Sequence, residues 1–587
     1  MKKIILSICI LAAAAMTAAA IPANPRVTKV RQPDGTMITL RLQGDEFCSW
    51  GTTPDGRTMM AGEDGFYRTV SASALREAKA RTTAQRAARR SVRKNANEIS
   101  TGNKKFLVVL VEFADVPFKK ANADFDKMMN LTGYSAYGAT GSVADYYKDQ
   151  SSGKFNPIFD VVGPVKVSKD MEYYGKHQGS SHDANPGQMV KEAVDSIYKK
   201  GLVKFSDYDN DSDGIVDNIY VFYAGYSEAS GGGPKTIWPH ASWVNSATEY
   251  DGVYIGSYAC GSELKGNSGE NMDGIGTFCH EFGHVLGLPD FYDTNYEEDG
   301  QGNGLLKFSL MDDGCYNNGS NTPPNLNGIE RKMLGWMDEF EYLTTSGHKT
   351  LKSIANNVSY IAPSENEGEF FLLEVRDGKG WDAHIYVTYD NGTPLGPTAS
   401  GLVVYHVDMS DNIVYKNYTA KYLWEHTNSI NCFANHQCFY VLPSYSDFEY
   451  DYDAIPFPGK YGINSFTDSS KPANKFWDGS FSTCNFTNIT FADGVVTLDL
   501  KVKGDLADVP FKTIAMPKAS WKAGDTFTFQ FVSETAGGVP VSTAWYLDDS
   551  RQSAASVKLT SGKHTIKAIA TYSDGSTEEV IQVINVE

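Results

Sequence analysis

The segment "GTFCHEFGHVLGLPDFYD", Gly276 to Asp293, constrains the fold more tightly than any other stretch of the chain. Ile275, Phe278, Cys279, Phe282, Val285 and Leu286 recur at helical spacing, with Asp273 available as N-cap and Gly287 and Pro289 as stop signals. The spacing predicts an amphipathic helix of about four turns. His280 and His284 then project from one face, where two imidazoles can reach one tetrahedral zinc ion. Glu281, one residue on from a ligand, can face the same ion without replacing a ligand and so act as general base on a water. Gly287 lets the chain turn sharply and bring back a third ligand, completing the string H-E-x-x-H-x-x-G-x-x-D. Asp290 is the preferred third ligand and Asp293 its rival. Two ordinary helix histidines are the competing reading, and the added glycine and aspartate weigh against it.

With 587 residues the chain is too long for one core, so several domains are expected. Residues 1–20 read as a secretory signal peptide: Lys2 and Lys3, the apolar run "IILSICILAAAAM", then small residues ending at Ala20. The protein is therefore expected to be exported, whether secreted, held at the cell surface or periplasmic. No later run is long and apolar enough to span a bilayer. A net charge of −18 argues against nucleic-acid binding. An oxidising compartment permits disulfides among Cys260, Cys279, Cys315, Cys432, Cys438 and Cys484, with Cys48 left over. Cys432 and Cys438 suit a small staple or two reduced thiols.

Residues 21 to about 70 alternate Gly-Asp turns ("QPDGT", "TTPDGR", "GEDGFY") with short strands such as "MITLRL", which makes a small β-rich unit. A basic, alanine-rich linker follows, and Arg89, Arg90 and Arg93 are candidate processing sites within it. From Lys104 the run "KKFLVVLVEFADVPF" reads as a buried strand, and strands and helices alternate from there to near Trp336. The domain boundaries expected are a prosegment at 21–100, a catalytic domain at 101–342, a β-rich domain at 343–503, and an immunoglobulin-like β-sandwich at 504–587.

The stretch "DYDNDSDGIVD" crowds carboxylates around Gly214. Asp209, Asp211, Asp213, the Ile215 carbonyl and Asp217 occupy positions 1, 3, 5, 7 and 9 of a calcium loop. Tyr220 stands where a bidentate glutamate would close an EF-hand, and a strand follows instead of a helix. A structural Ca²⁺ loop is expected, with Asp207 as a substitute ligand.

The ordered motifs "VLVEFAD", "SVADYY", "SSGKF", "DNDSDGIVDNIYVFYAGYSE", "WPH", "HEFGHVLGLPDFYD", "SLMDDG", "IERKMLGW", "FFLLEVR" and "GLVVYHVD" resemble the M6 family of secreted bacterial metalloendopeptidases, the immune inhibitor A type. The resemblance implies a multidomain α+β protein with a zincin or metzincin-like catalytic domain, made as a zymogen and cleaving proteins or peptides with zinc. It also implies that Met311 sits in a Met-turn beneath the metal. Tyr316 is a candidate oxyanion donor, with a packed surface tyrosine as the plainer reading, and His240 is read as a buried structural residue rather than a cleft residue. The prosegment is expected to inhibit the enzyme through Cys48 on zinc, through the α-amino group left by signal cleavage, or by steric cover. Cys279 points to the apolar face and is discounted as a nucleophile. The chain is expected to act as a monomer. A secreted adhesin with a dead zincin domain is the alternative, and the intact Glu281 counts against it.

Overall fold

The computed structural model describes residues 19–87, 96–177, 183–244, 246–295, 300, 302–366, 368–385, 388–390, 393–395, 398–445, 454–503, 512–514, 521–529, 531–533, 540–572 and 575–586. Of the expected leader only Ala19 and Ala20 fall among them, and Arg89, Arg90 and Arg93 lie outside. The chain is a mixed α/β protein of two compact units. One comprises Met1–Tyr342, Thr350–Ser482 and Asn488–Leu498, and the other comprises Leu343–Lys349, Thr483–Thr487 and Asp499–Glu587. Most of the segment 343–503 therefore belongs to the same unit as the His-Glu-x-x-His helix.

In the first unit, β1 (Ala19–Ala20), β2 (Gly102–Glu112), β3 (Phe155–Lys166), β4 (Ile219–Tyr226), β5 (His240–Trp243) and β6 (Ser257–Leu264) make one sheet in the order β1-β5-β6-β4-β2-β3. The β6, β4, β2 and β3 strands are parallel, β5 runs antiparallel to β6, and β1 runs antiparallel to β5. The helices used below are α1 (Val143–Gln150), α2 (Pro186–Lys199), α3 (Ile275–Val285) and α4 (Ala420–His426). The unbroken apolar run of β2 follows from cover on both faces. Phe106, Val108 and Leu110 share a core with Phe278 and Phe282 of α3, while Leu107, Val109 and Val111 share another with Met189, Val190 and Val194 of α2.

Ser142 and Asp145 form a reciprocal capping box that starts α1. From α1, the Tyr147 hydroxyl donates to the Cys279 carbonyl at 2.7 Å, which ties the two helices together. Residues 27–69 form a five-stranded antiparallel meander, turned at the glycine-bearing loops read from sequence, and the helix Ala72–Ala87 follows. Downstream, β7 (Glu341–Tyr342), β8 (Tyr360–Pro363), β9 (Glu369–Arg376), β10 (Gly401–Asp408) and β11 (Phe439–Leu442) pair in that order, with α4 in the β10 to β11 connection. The second unit contains a four-stranded antiparallel sheet, Ser550–Gln552, Ser542–Leu547, Gly562–Thr571 and Thr577–Val586, with a core of Trp521, Phe527, Ile566, Ala568 and Ile584.

Candidate active site

The α3 helix has 11 residues, about three turns rather than four, and its N-cap is Gly274 rather than Asp273. Asp273 works from one residue further out: its carboxylate accepts from the Gly274 N–H at 3.0 Å and the Thr277 hydroxyl at 2.9 Å. His280 and His284 face the same side, and each ring is fixed by a backbone carbonyl. The His280 Nδ1 lies 2.8 Å from the Leu310 oxygen, and the His284 Nδ1 lies 2.8 Å from the Leu288 oxygen. A carbonyl only accepts, so each Nδ1 carries the proton and each Nε2 presents a lone pair.

Those two Nε2 atoms are 3.2 Å apart, and each is 3.2 Å from the Asp290 Oδ1. Three acceptors facing one another at that distance call for a cation. Ligands at about 2.0–2.1 Å from a tetrahedral zinc ion stand about 3.3 Å from each other, so the triangle fits this metal. Burial pushes the His280 imidazole down, toward its neutral form. Gly287 has φ +104, the conformation that the sharp turn to Asp290 requires. Asp293 is turned elsewhere, accepting from the Asn295 N–H at 3.1 Å and the Gly302 N–H at 2.9 Å.

Met311 is buried beneath α3, where a Cβ added at Gly283 would lie 2.7 Å from its sulfur. The Met311 carbonyl accepts from the Phe291 N–H at 2.9 Å, which joins this turn to the Asp290 loop.

Across the site runs the segment 19–22. The β1 strand pairs with β5, Ala19 opposite Ala241 and Ala20 opposite His240. The next peptide groups meet the site itself: the Ile21 N–H donates to the Glu281 Oε1 at 3.0 Å, the Trp238 Nε1 donates to the Ile21 carbonyl at 3.0 Å, and the Tyr316 hydroxyl donates to the Pro22 carbonyl at 2.6 Å. Tyr316 is thus not a packed surface residue. It is buried, with its hydroxyl aimed at a backbone carbonyl in the cleft. His240 sits on the cleft-edge strand, but its ring is turned inward between the Trp238 carbonyl at 2.7 Å and the Tyr258 hydroxyl at 2.8 Å, and burial pushes it down to about 4.

Among the described residues, two groups could hold a metal: His280 with His284 and Asp290, and Asp209 with Asp211 and Asp213. Cys48 belongs to neither and packs with Trp50 and Tyr292. In the acidic loop the three aspartates converge, while the Asp217 Oδ2 accepts from the Asn210 backbone and side chain at 2.8 Å each and Asp207 lies 4.0 Å from the Lys204 ammonium. Ile215 donates its N–H to the Asp213 carboxylate at 2.9 Å. Cys279 is buried, and burial raises its thiol. Cys438 is a buried free thiol, so the Cys432 to Cys438 staple is not formed.

Sequence reasoning missed Trp238, Gly283, the Pro22 peptide group, and Asn428, whose side-chain amide holds Asp290, while the Ile21 nitrogen is the α-amino position that leader removal is expected to free. Trp238 lies within the quoted "WPH" motif, but the other contacts are made by chain segments far apart in sequence.

A buried His-Glu-x-x-His helix with a third carboxylate beside it and a strand laid along an antiparallel sheet edge is an arrangement that could hold a metal ion next to an extended chain. Residues 93–339 match the immune inhibitor A peptidase M6 catalytic domain. It is 26% identical over 255 residues to the pre-pro-metalloprotease PrtV of Vibrio cholerae serotype O1, covering 36% of this chain and 27% of that protein. It is 30% identical over 256 residues to Immune inhibitor A of Bacillus thuringiensis subsp. alesti, covering 36% of each. The chain thus aligns with about a third of the length of these curated relatives, or less. A crystal structure of wild-type OgpA from Akkermansia muciniphila matches at 9% identity and a TM-score of 0.20, over 82% of this chain and 92% of that one. A likeness that slight carries no argument. Among the described residues no helix is long and apolar enough to cross a membrane.

Proposed function

We propose that this chain is a zinc-dependent endopeptidase, exported as a zymogen, that hydrolyses peptide bonds in proteins with Glu281 as general base. The observation that carries the reading is the triangle of His280 Nε2, His284 Nε2 and Asp290 Oδ1 with 3.2 Å edges, beside the helix that bears both histidines and Glu281. Zinc held by these three atoms would supply a Lewis acid for the scissile carbonyl. Glu281 takes the proton of the attacking water and returns it to the leaving amine. The β5 edge pairs with an extended substrate in the way it pairs with β1, and Tyr316 donates to the carbonyl as charge builds on its oxygen. Met311 floors the site in the manner of a metzincin Met-turn.

Latency is supported by Ile21 and Pro22, the first residues left once 1–20 are removed, whose peptide groups engage Glu281, Trp238 and Tyr316 together. Removal of residues 1–20 on export would leave the Ile21 nitrogen as an α-ammonium beside the Glu281 carboxylate, a stronger contact than an amide makes. This favours the α-amino and steric routes over Cys48. The printed name of PrtV, a pre-pro-metalloprotease, is consistent with a leader and a pro part. We further propose a structural Ca²⁺ at Asp209, Asp211 and Asp213, an immunoglobulin-like character for the second unit, and action as a monomer on protein or peptide substrates.

The reading is tested with the processed chain and casein. Removal of metal by a chelator should abolish cleavage, and zinc should restore it. Cleavage that persists in demonstrably metal-free protein would refute the proposal.

A further inference from the structure

Resting on that reading, we propose that Asn428, from outside the matched peptidase stretch, is the positioning residue for the third metal ligand, so that the metal centre is completed by the downstream sheet. The Asn428 Oδ1 accepts from the Asp290 N–H at 2.7 Å, and its Nδ2 donates to the Asp290 Oδ2 at 2.5 Å. The orientation of the amide is dictated by its partners: a backbone N–H must meet the oxygen, which leaves the NH₂ to face the carboxylate. One side chain thereby grips both the backbone and the side chain of Asp290 and fixes how the carboxylate is turned.

The division of the two carboxylate oxygens carries the functional consequence. Oδ1 is the atom 3.2 Å from both histidine Nε2 atoms, while Oδ2 is occupied by Asn428. A carboxylate held this way offers the metal one oxygen rather than two, and the coordination position that a bidentate ligand would take stays available for water or substrate.

Asn428 is itself held rigidly, as a positioning residue must be. It is 2% exposed, and its carbonyl accepts from the Thr294 hydroxyl at 3.2 Å. Nearby, the Asn431 Nδ2 donates to the Phe291 carbonyl at 2.7 Å, the Gln437 Oε1 accepts from the Gly304 N–H at 2.8 Å, and the Asn295 Nδ2 donates to the Cys432 carbonyl at 2.6 Å. The base of this loop is tied to β10 by the Trp424 Nε1 on the Asp408 carbonyl at 2.7 Å and by His436 on the Asp408 carboxylate at 2.8 Å. Residues 428–437 therefore clamp the loop that follows the His-Glu-x-x-His helix.

The test is zinc affinity, measured by chelator competition on the purified full-length precursor, for wild type, Asn428→Asp, Asn428→Ala and Gln437→Ala. Asn428→Asp is isosteric and keeps an acceptor for the Asp290 N–H, but it replaces the donor to Oδ2 with a carboxylate oxygen and so sets a second negative charge against Asp290. Both Asn428 variants should lose about 10–100-fold in affinity. Gln437→Ala loosens the same clamp without touching Asp290 and should bind zinc like wild type, whatever it does to the thermal midpoint of the metal-free protein. Cobalt(II) in place of zinc should give a visible absorption spectrum altered in Asn428→Asp and unaltered in Gln437→Ala. Wild-type affinity in Asn428→Asp, or an equal loss in Gln437→Ala, would reduce Asn428 to a structural staple and overturn the proposal. Wild type that binds no zinc would overturn the peptidase reading together with it.

Discussion

Tyr316 and Gly283 show how much single residues carry at this site. Tyr316 lies 2.6 Å from a backbone carbonyl that occupies the cleft, the position in which a hydroxyl can meet a developing oxyanion. In the processed enzyme, Tyr316→Phe should lower kcat by about 100-fold with little change in KM, since one transition-state donor is lost. A rise in KM alone would assign the hydroxyl to ground-state binding. Gly283 is needed for a different reason: its missing Cβ makes room for the Met311 sulfur, which a methyl group would approach to 2.7 Å. Both partners are enclosed, so Gly283→Ala should destabilise the protein by about 1–3 kcal/mol in urea unfolding. An unchanged midpoint would mean that the Met311 turn shifts freely.

At the scale of elements, the helix Gly328–Met333 is started by a reciprocal box in which the Asn327 Oδ1 accepts from the Glu330 N–H at 2.9 Å and the Glu330 Oε2 accepts from the Asn327 N–H at 2.7 Å. Burial lifts the Glu330 carboxyl to about 7, against the lowering effect of its Ser309 hydrogen bond. A carboxyl whose pKa is raised on folding binds its proton more tightly in the folded state, so its contribution is full below about pH 4.5 and is lost as the pH rises to about 7. Glu330→Gln should flatten this part of the pH dependence of stability by up to about 3 kcal/mol. A parallel curve for the variant would show that folding leaves the Glu330 pKa unchanged.

The α3 helix and its ligands were legible in the sequence because the whole arrangement is local: Asp290 is ten residues from His280, and the turn between them is written by Gly287. The parallel strand β2 was legible too, since its apolar run reports cover on both faces. The helix cap was misread because Asp273 and Gly274 adjoin, and sequence alone does not say which residue leaves the helical conformation. The β1 strand gave no signal, as two alanines at a leader boundary have no alternation to detect. Its pairing arises only when the β5 edge is built.

Across the molecule, the family match ends at residue 339, whereas the clamp on the metal-ligand loop comes from residues 428–437. Asn428 lies 138 residues from Asp290, a separation across which no periodicity or spacing rule connects two positions. A chain ended after Tyr342 keeps His280, Glu281, His284 and Asp290 yet loses the clamp, so it should bind zinc at least about tenfold more weakly than the full chain. Equal affinity would make the matched stretch self-sufficient. The placement of residues 350–482 with the six-stranded sheet in one unit has the same physical origin, because β8 to β11 and α4 share the core of α3 through Phe291, Trp424 and Phe439.

The account rests most heavily on Glu281, and its most direct test compares casein cleavage by processed wild type and Glu281→Gln at equal measured zinc content. Glu281→Gln nearly preserves size and shape while removing the base, so cleavage should fall by at least about 100-fold with zinc still bound. Equal cleavage by the two proteins would contradict the account at its centre.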